Sequence, residues 1–259
     1  MNLNEKRVAK MVMLAGAAAV CVSVSTASAQ VNAVWTGASN GTYSTANRWT
    51  PVGVPNGNFN AIINAAGAYS VRVDNNYGVR GLSVTVSSVA VEIQPGFTFA
   101  ASTSIANNGN IIVNNTATNA DTNLGIGGSL PLSGTGFITL NSFGSNAARA
   151  KIISSDPAFT LTQGPDHTIR GTGTILMAMN NTGTVHADRA QMMVIDNAAS
   201  SVPSANSGLI KATGLGGLQI NDTVLVQSGV GTVLSDGSTV QIRGSRGERP
   251  HQFHQLRRD

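Results

Sequence analysis

Carboxylates with a basic neighbour are the groups in this chain that could do acid–base chemistry on a sugar. Two sets stand out: Arg72, Asp74 and Glu92, and then Asp188, Lys211 and Asp236, which fall at similar positions of successive sequence repeats. Glycan-cleaving enzymes need carboxyl groups on one outer face, one to give a proton and one to accept it or attack. Neither set holds an acidic pair in a recognisable motif, so the expected role is that of solvated turn and face residues and no catalytic residue is assigned. His167 and His186 are far apart in sequence, with no Cys or His at ligand spacing from either, and His251 and His254 sit in the terminal segment, so no metal site is expected. The glycine-rich runs Gly125-Ile-Gly127-Gly128 and Gly171-Thr-Gly173 lack the helix that must follow a phosphate cradle, so no cofactor site is expected either.

What must position any such groups begins with a segment that has a different job. Lys6, Arg7 and Lys10 precede the apolar run Met11 to Val24, and Ala27-Ser-Ala29 supplies the small residues that a signal peptidase reads, so residues 1–29 are expected to be a signal peptide. The apolar run falls short of the roughly 20 residues that cross a bilayer, so no stable transmembrane segment is expected after cleavage. Cys21, the one cysteine, lies inside this leader. Val20 stands before it where a lipoprotein anchor wants a small residue, and without Cys21 the mature chain is expected to hold itself together without disulfides.

The formal charge of +4 resides at the two ends. Between residues 30 and 244 there are nine basic and nine acidic side chains, so the body is neutral and no nucleic-acid partner is expected. Only 11% of residues are charged and 41% are apolar, which allows a substantial core and argues against disorder.

From Tyr69 onward the chain alternates apolar and polar residues, as in Tyr69-Ser-Val71-Arg-Val73, Leu82-Ser-Val84-Thr-Val86 and Val89-Ala-Val91-Glu-Ile93, and polar turns separate these strands. Before them, residues 30–60 gather Trp35, Tyr43 and Trp49 in a stretch rich in Gly, Asn and Pro. Such aromatics could stack on sugars. The expectation is instead an N-terminal cap covering the open end of the first coil, because a solenoid needs atypical terminal units and aromatics bury the most area per residue.

One phrase is written repeatedly: Asn181-Thr-Gly183-Thr-Val185-His-Ala187 with Met193-Val-Ile195, then Asn206-Ser-Gly208-Leu-Ile210-Lys-Ala212 with Leu218-Gln-Ile220. A worn copy runs from Gln227 through Gly231 and Val233 to Val240-Gln-Ile242. The steps from Val185 to Ile210 and from Ile210 to Val233 are nearly equal, a spacing that a coil of three short strands and three turns accommodates and a hairpin sandwich has no reason to keep. Gly183, Gly208 and Gly231 are expected to stack at one corner, where the backbone is left-handed or cramped, and Val185, Ile210 and Val233 to stack inside. The body, residues 61–244, is therefore expected to be an all-β parallel solenoid.

Trp35-Thr-Gly, Asn47-Arg-Trp49, Gly53-Val-Pro55, Ala68-Tyr-Ser-Val-Arg-Val73, His167-Thr-Ile-Arg-Gly-Thr-Gly-Thr-Ile175 and Asn181-Thr-Gly-Thr-Val-His-Ala-Asp188 together resemble the secreted bacterial repeat proteins with autotransporter-associated β-strand repeats. The resemblance covers most of residues 31–244 and implies a right-handed parallel β-helix displayed outside the cell, with no catalytic residues. The chain departs from that pattern after Gly244: residues 245–259 read as a disordered or aberrant tail that leaves the last coil uncapped. The expected function is that of an exported structural or adhesive protein whose partner is cell-envelope or extracellular polysaccharide. A carbohydrate-active β-helix enzyme and a truncated fragment of a larger surface protein are the alternatives.

Overall fold

A computed structural model describes residues 31–142, 149–221, 225–243 and 251–252. The leader and most of the tail lie outside the described residues. Alternation of apolar and polar side chains forces each short segment into a strand with one face inward. No segment is long enough to bury its apolar face alone, so the segments coil and stack in parallel. The product is a parallel β-solenoid of three faces, the first two merged in one 17-stranded sheet and the third forming a 9-stranded one. Two long strands, Tyr77–Val84 and Thr98–Asn107, bend across the first two faces and merge them.

The register is that of the repeat. On the third face Val185 lies beside Ile210 and Ile210 beside Val233, while on the first face Met193, Leu218 and Val240 are in line. Upstream the same interior column continues through Val71, Val91, Ile111, Ile138 and Ile169. Rung length is far from constant: the rung from Ile169 to Val185 takes about half as much chain as the one before it, from Ile138 to Ile169, and that from Val71 to Val91 lies between them. Extra residues leave at corners, where they cost no strand register. Val185 is 0% exposed and Ile210 1%, whereas Val233 is only partly buried, so the interior opens at the last described rung.

The aromatic segment is woven into the first rungs rather than set apart from them. Val31–Trp35 already pairs in parallel with Phe59–Ile63, so the boundary expected at residue 60 cuts through a solenoid strand. The reason is that the capping piece is an excursion between two rungs. Trp49–Thr50 turns back antiparallel to Val31–Trp35, occupying the edge hydrogen bonds that a first strand otherwise leaves open. Trp35, Tyr43 and Trp49 are buried, and the cluster recruits Tyr77 and Phe99 from later rungs, with ring centroids 4.6 to 5.2 Å apart. The Trp49 indole N–H donates to the Tyr43 carbonyl at 2.9 Å and the Tyr43 hydroxyl to that of Pro55 at 3.2 Å. Trp35, Tyr43 and Trp49, enclosed in this way, offer no face to a sugar.

The tail is expected to be disordered or aberrant, and two of its residues are described. His251 and Gln252 pair antiparallel with Ile242 and Gln241, extending the first face at its open edge. A strand edge with free N–H and C=O groups accepts an antiparallel segment whatever its side chains, a signal that a side-chain pattern does not carry.

Candidate interaction surface

The repeated phrase specifies a corner. At the turn from second to third face, from Phe137 onward, the N–H opening each third-face strand donates to the carbonyl of the corner residue one rung earlier. Phe137 donates to Gly109, Thr168 to Gly136, Thr184 to His167, Leu209 to Gly183 and Thr232 to Gly208, at 2.8 to 3.2 Å. The corner column is thus Gly109, Gly136, His167, Gly183, Gly208 and Gly231. A Cβ at Gly183 would strike the carbonyl oxygens of Gly164 and His167, and one at Gly208 that of Gly183. Gly183, Gly208 and Gly231 have no positive φ, so crowding between rungs, and not left-handed backbone, demands glycine there.

The asparagine of the phrase carries a role that the sequence reading missed. Gln163, Asn181, Asn206 and Gln227 are in register on the second face, and the first three are buried. Asn181 Nδ2 donates to Asn206 Oδ1 at 2.7 Å, and Asn206 Nδ2 donates to Gln227 Oε1 at 2.8 Å. Asn181 Oδ1 also accepts the Gly183 N–H at 3.0 Å, and Asn107 Oδ1 the Gly109 N–H at 3.1 Å. Asn107 and Asn181 therefore close their own corners, and within the ladder Asn181 and Asn206 each link to the next rung. The constant spacing of Asn and Gly, one residue between them, was the available signal.

His167 interrupts the glycine column and turns its ring inward. Asn107 is oriented by its Oδ1 accepting from Gly109 and its Nδ2 donating to the Phe137 carbonyl at 2.9 Å, so the contact from Nδ2 to His167 Nε2, 3.0 Å, makes Nε2 an acceptor. The ring is neutral with its hydrogen on Nδ1. Burial pushes its pKa down to about 4.

The carboxylate sets are only partly assembled. Arg72 and Glu92 are register neighbours at 3.4 Å, and Glu92 also accepts from the Ser70 hydroxyl at 2.6 Å and Asn115 Nδ2 at 3.1 Å. Asp74 does not join them: it accepts from the Ser44 N–H at 3.2 Å and the Ser44 hydroxyl, tying two rungs. In the second set, Lys211 stacks beside His186, while Asp188 lies past the end of that strand at 3.4 Å from Arg189. Asp236 follows Thr232–Ser235, two rungs on, its N–H bonded to the Ala212 carbonyl, so Asp188 and Asp236 flank the intervening Thr213 rung. A further cluster went unread because its members are a whole rung apart in sequence: Asp121 bonds Arg149 at 2.7 Å and Lys151 at 2.9 Å. The Lys151 and then the Arg149 hydrogen bonds hold its pKa down.

Two hollows among the described residues are shallow. One of about 210 Å³ lies among Ser154, Asp156, Leu176 and Ser200, and another of about 180 Å³ lies over Asn60, Gly81 and Ser104. The first contains a single carboxylate, and Asp156 Oδ1 is taken by the Ala158 N–H at 2.8 Å. Asn60 Oδ1 in the second lacks a hydrogen-bond partner, the kind of acceptor an ordered water serves. Among the described residues no three His, Cys, Asp or Glu side chains are grouped to hold a metal, and no helix is long and apolar enough to cross a membrane.

What remains is an outer surface that repeats with the rungs. On the third face one outward column runs Arg72, Glu92, Ile112, Thr139, Arg170, His186, Lys211 and Leu234. In comparisons with known proteins, no family, no curated protein and no solved structure matches this chain.

Proposed function

We propose that the protein is an exported, non-enzymatic β-solenoid that serves as a structural or adhesive component of the cell surface or extracellular matrix. The observation that carries this reading is the stacking of rungs with side chains in line, which repeats each outer position about every 4.8 Å along the axis. Such a surface binds by many weak, regularly spaced contacts, so that avidity replaces a pocket. The leader pattern of residues 1–29 supports export, and the resemblance to proteins with autotransporter-associated β-strand repeats points the same way. A chain without cysteine beyond Cys21 also suits a rod stabilised by stacking alone. Against catalysis stands the way Glu92, Asp74 and Asp121 are already engaged by neighbouring rungs.

Fractionation of the native culture tests the reading. The protein is expected in the medium or envelope fraction with its mature end at Gln30, and a cytoplasmic, uncleaved chain overturns it. A polysaccharide-cleavage assay separates the enzyme alternative: activity that disappears in Asp188→Asn replaces the structural role with a catalytic one.

A further inference from the structure

Arg170, His186 and Lys211 are consecutive members of the outward column on the third face. The two permanent cations, Arg170 and Lys211, thus stand two rungs apart, about 9.6 Å, with the His186 imidazole between them as a hydrogen-bonding group. Among the described residues neither Arg170 nor Lys211 takes part in an ion pair, unlike Arg72, which pairs with Glu92, and Arg149 and Lys151, which share Asp121. The nearby Asp188 is paired with Arg189. The Arg170 guanidinium lies 4.1 Å from the centroid of the Phe137 ring, which is 38% exposed, and its Nε contacts the Thr139 hydroxyl at 3.4 Å. Stacking holds the planar group in place and leaves its remaining N–H donors free for a carboxylate. His186 Nε2 lies 2.8 Å from the Thr213 hydroxyl, and Thr168 and Thr184 flank the ladder on the adjacent outward column.

We propose that this column is a docking ladder for a linear carboxylated glycan laid along the solenoid axis. An extended uronic acid chain carries one carboxylate per sugar ring, so every second carboxylate falls at a cation, the ring between lies over His186, and the flanking threonines offer hydroxyls to the sugar. Double-stranded nucleic acid fits poorly, since its charge recurs about every 1.7 Å and requires many clustered cations. The proposal rests on the extracellular reading above, because such polymers are encountered outside the cell.

Binding of the purified chain to de-esterified polygalacturonate is the test, beside the same polymer fully methyl-esterified and single-stranded DNA of matched total charge. The chain is expected to bind the free polygalacturonate in a salt-sensitive way, to ignore the ester, and to lose about tenfold in affinity in the Arg170→Gln/Lys211→Gln double variant. Arg80→Gln/Arg243→Gln removes the same charge away from the column and is expected to bind as the parent does. If the first double variant does not fold by far-UV circular dichroism, Lys211→Glu alone is read instead. Equal binding to the ester, indifference to loss of the column cations, or preference for DNA overturns the ladder. A cytoplasmic protein that still binds through the column overturns only the extracellular role, and an exported protein without such binding overturns only the ladder.

Discussion

At the scale of single residues, the solenoid is held by buried amides whose hydrogen bonds run along the axis. Asn206 accepts from one rung and donates to the next, so Asn206→Ala leaves Asn181 Nδ2 and Gln227 Oε1 without this partner. A loss of about 1–3 kcal/mol is expected from the urea midpoint, the cost of stranding the buried Asn181 amide. His167 gives a pH-dependent counterpart. Unfolded, it titrates near its ordinary value of 6.5; folded, near 4. Between those values the unfolded chain takes up a proton that the folded chain refuses, so the stabilisation is full above about pH 6.5 and is lost as the pH falls toward 4. Comparing pH 7 with pH 4.5, about 2–3 kcal/mol of the parent's loss is expected to vanish in His167→Gln, where an amide oxygen still accepts from Asn107. An identical pH profile in the variant would dismiss His167 as the titrating group. His186 shifts in the same direction, through burial first and then Lys211, with Arg170 adding to the effect and Asp188 opposing it, and this contribution remains in the variant.

At the scale of the element, the unit is a rung and the corner that joins it to its neighbour. The glycine column permits carbonyls of successive rungs to approach as closely as strand pairing requires. Gly208→Ala is therefore expected to cost about 1–3 kcal/mol by overpacking against the Gly183 carbonyl, although the backbone φ is one alanine can adopt. Gly229→Ala is a useful contrast at φ +60, with open space around its Cβ: strain there is conformational, not steric. Thermal unfolding checks the distinction: asparagine, which tolerates positive φ, is expected to cost less than alanine at position 229 but not at 208, where the obstruction is the backbone of Thr182 and Gly183. Much of the element scale was legible in advance. Period-two alternation predicts the strands, and the near-equal steps from Val185 to Ile210 and Ile210 to Val233 predict the register on the third face, because a side chain of one rung must return above its equivalent in the one before. The long rung from Ile138 to Ile169 and the short one from Ile169 to Val185 were invisible to that spacing, since insertions at corners change it without changing what stacks.

At the scale of the whole molecule, stability is a sum over rungs and their contacts, and the ends decide where unfolding starts. The first end is closed by an antiparallel strand and five aromatic rings, whereas Val233 and Ile242 at the other are only partly buried. Trp49→Ala is expected to remove about 3–5 kcal/mol from the first rungs. Amide exchange is expected to accelerate there while the strands from Phe137 to Ala212 keep their protection; uniform acceleration along the chain would mean that the solenoid unfolds as one block.

The sequence by itself determined the kind of molecule: alternation sets the strands and repetition sets their stacking. Those are local or periodic properties, and one dimension is enough to hold them. Tertiary structure alone decided which residues meet. It brought Glu92 to Arg72 but not Asp74, gathered Asp121 with Arg149 and Lys151, and aligned Arg170, His186 and Lys211 from rungs of unequal length. It also carried Tyr77 and Phe99 into the cap and a pair of tail residues onto the last strand. The physical reason is the same throughout: lateral neighbours in a coil are one rung apart in space, and the number of residues in that rung is set by corner loops whose side chains carry no periodic mark.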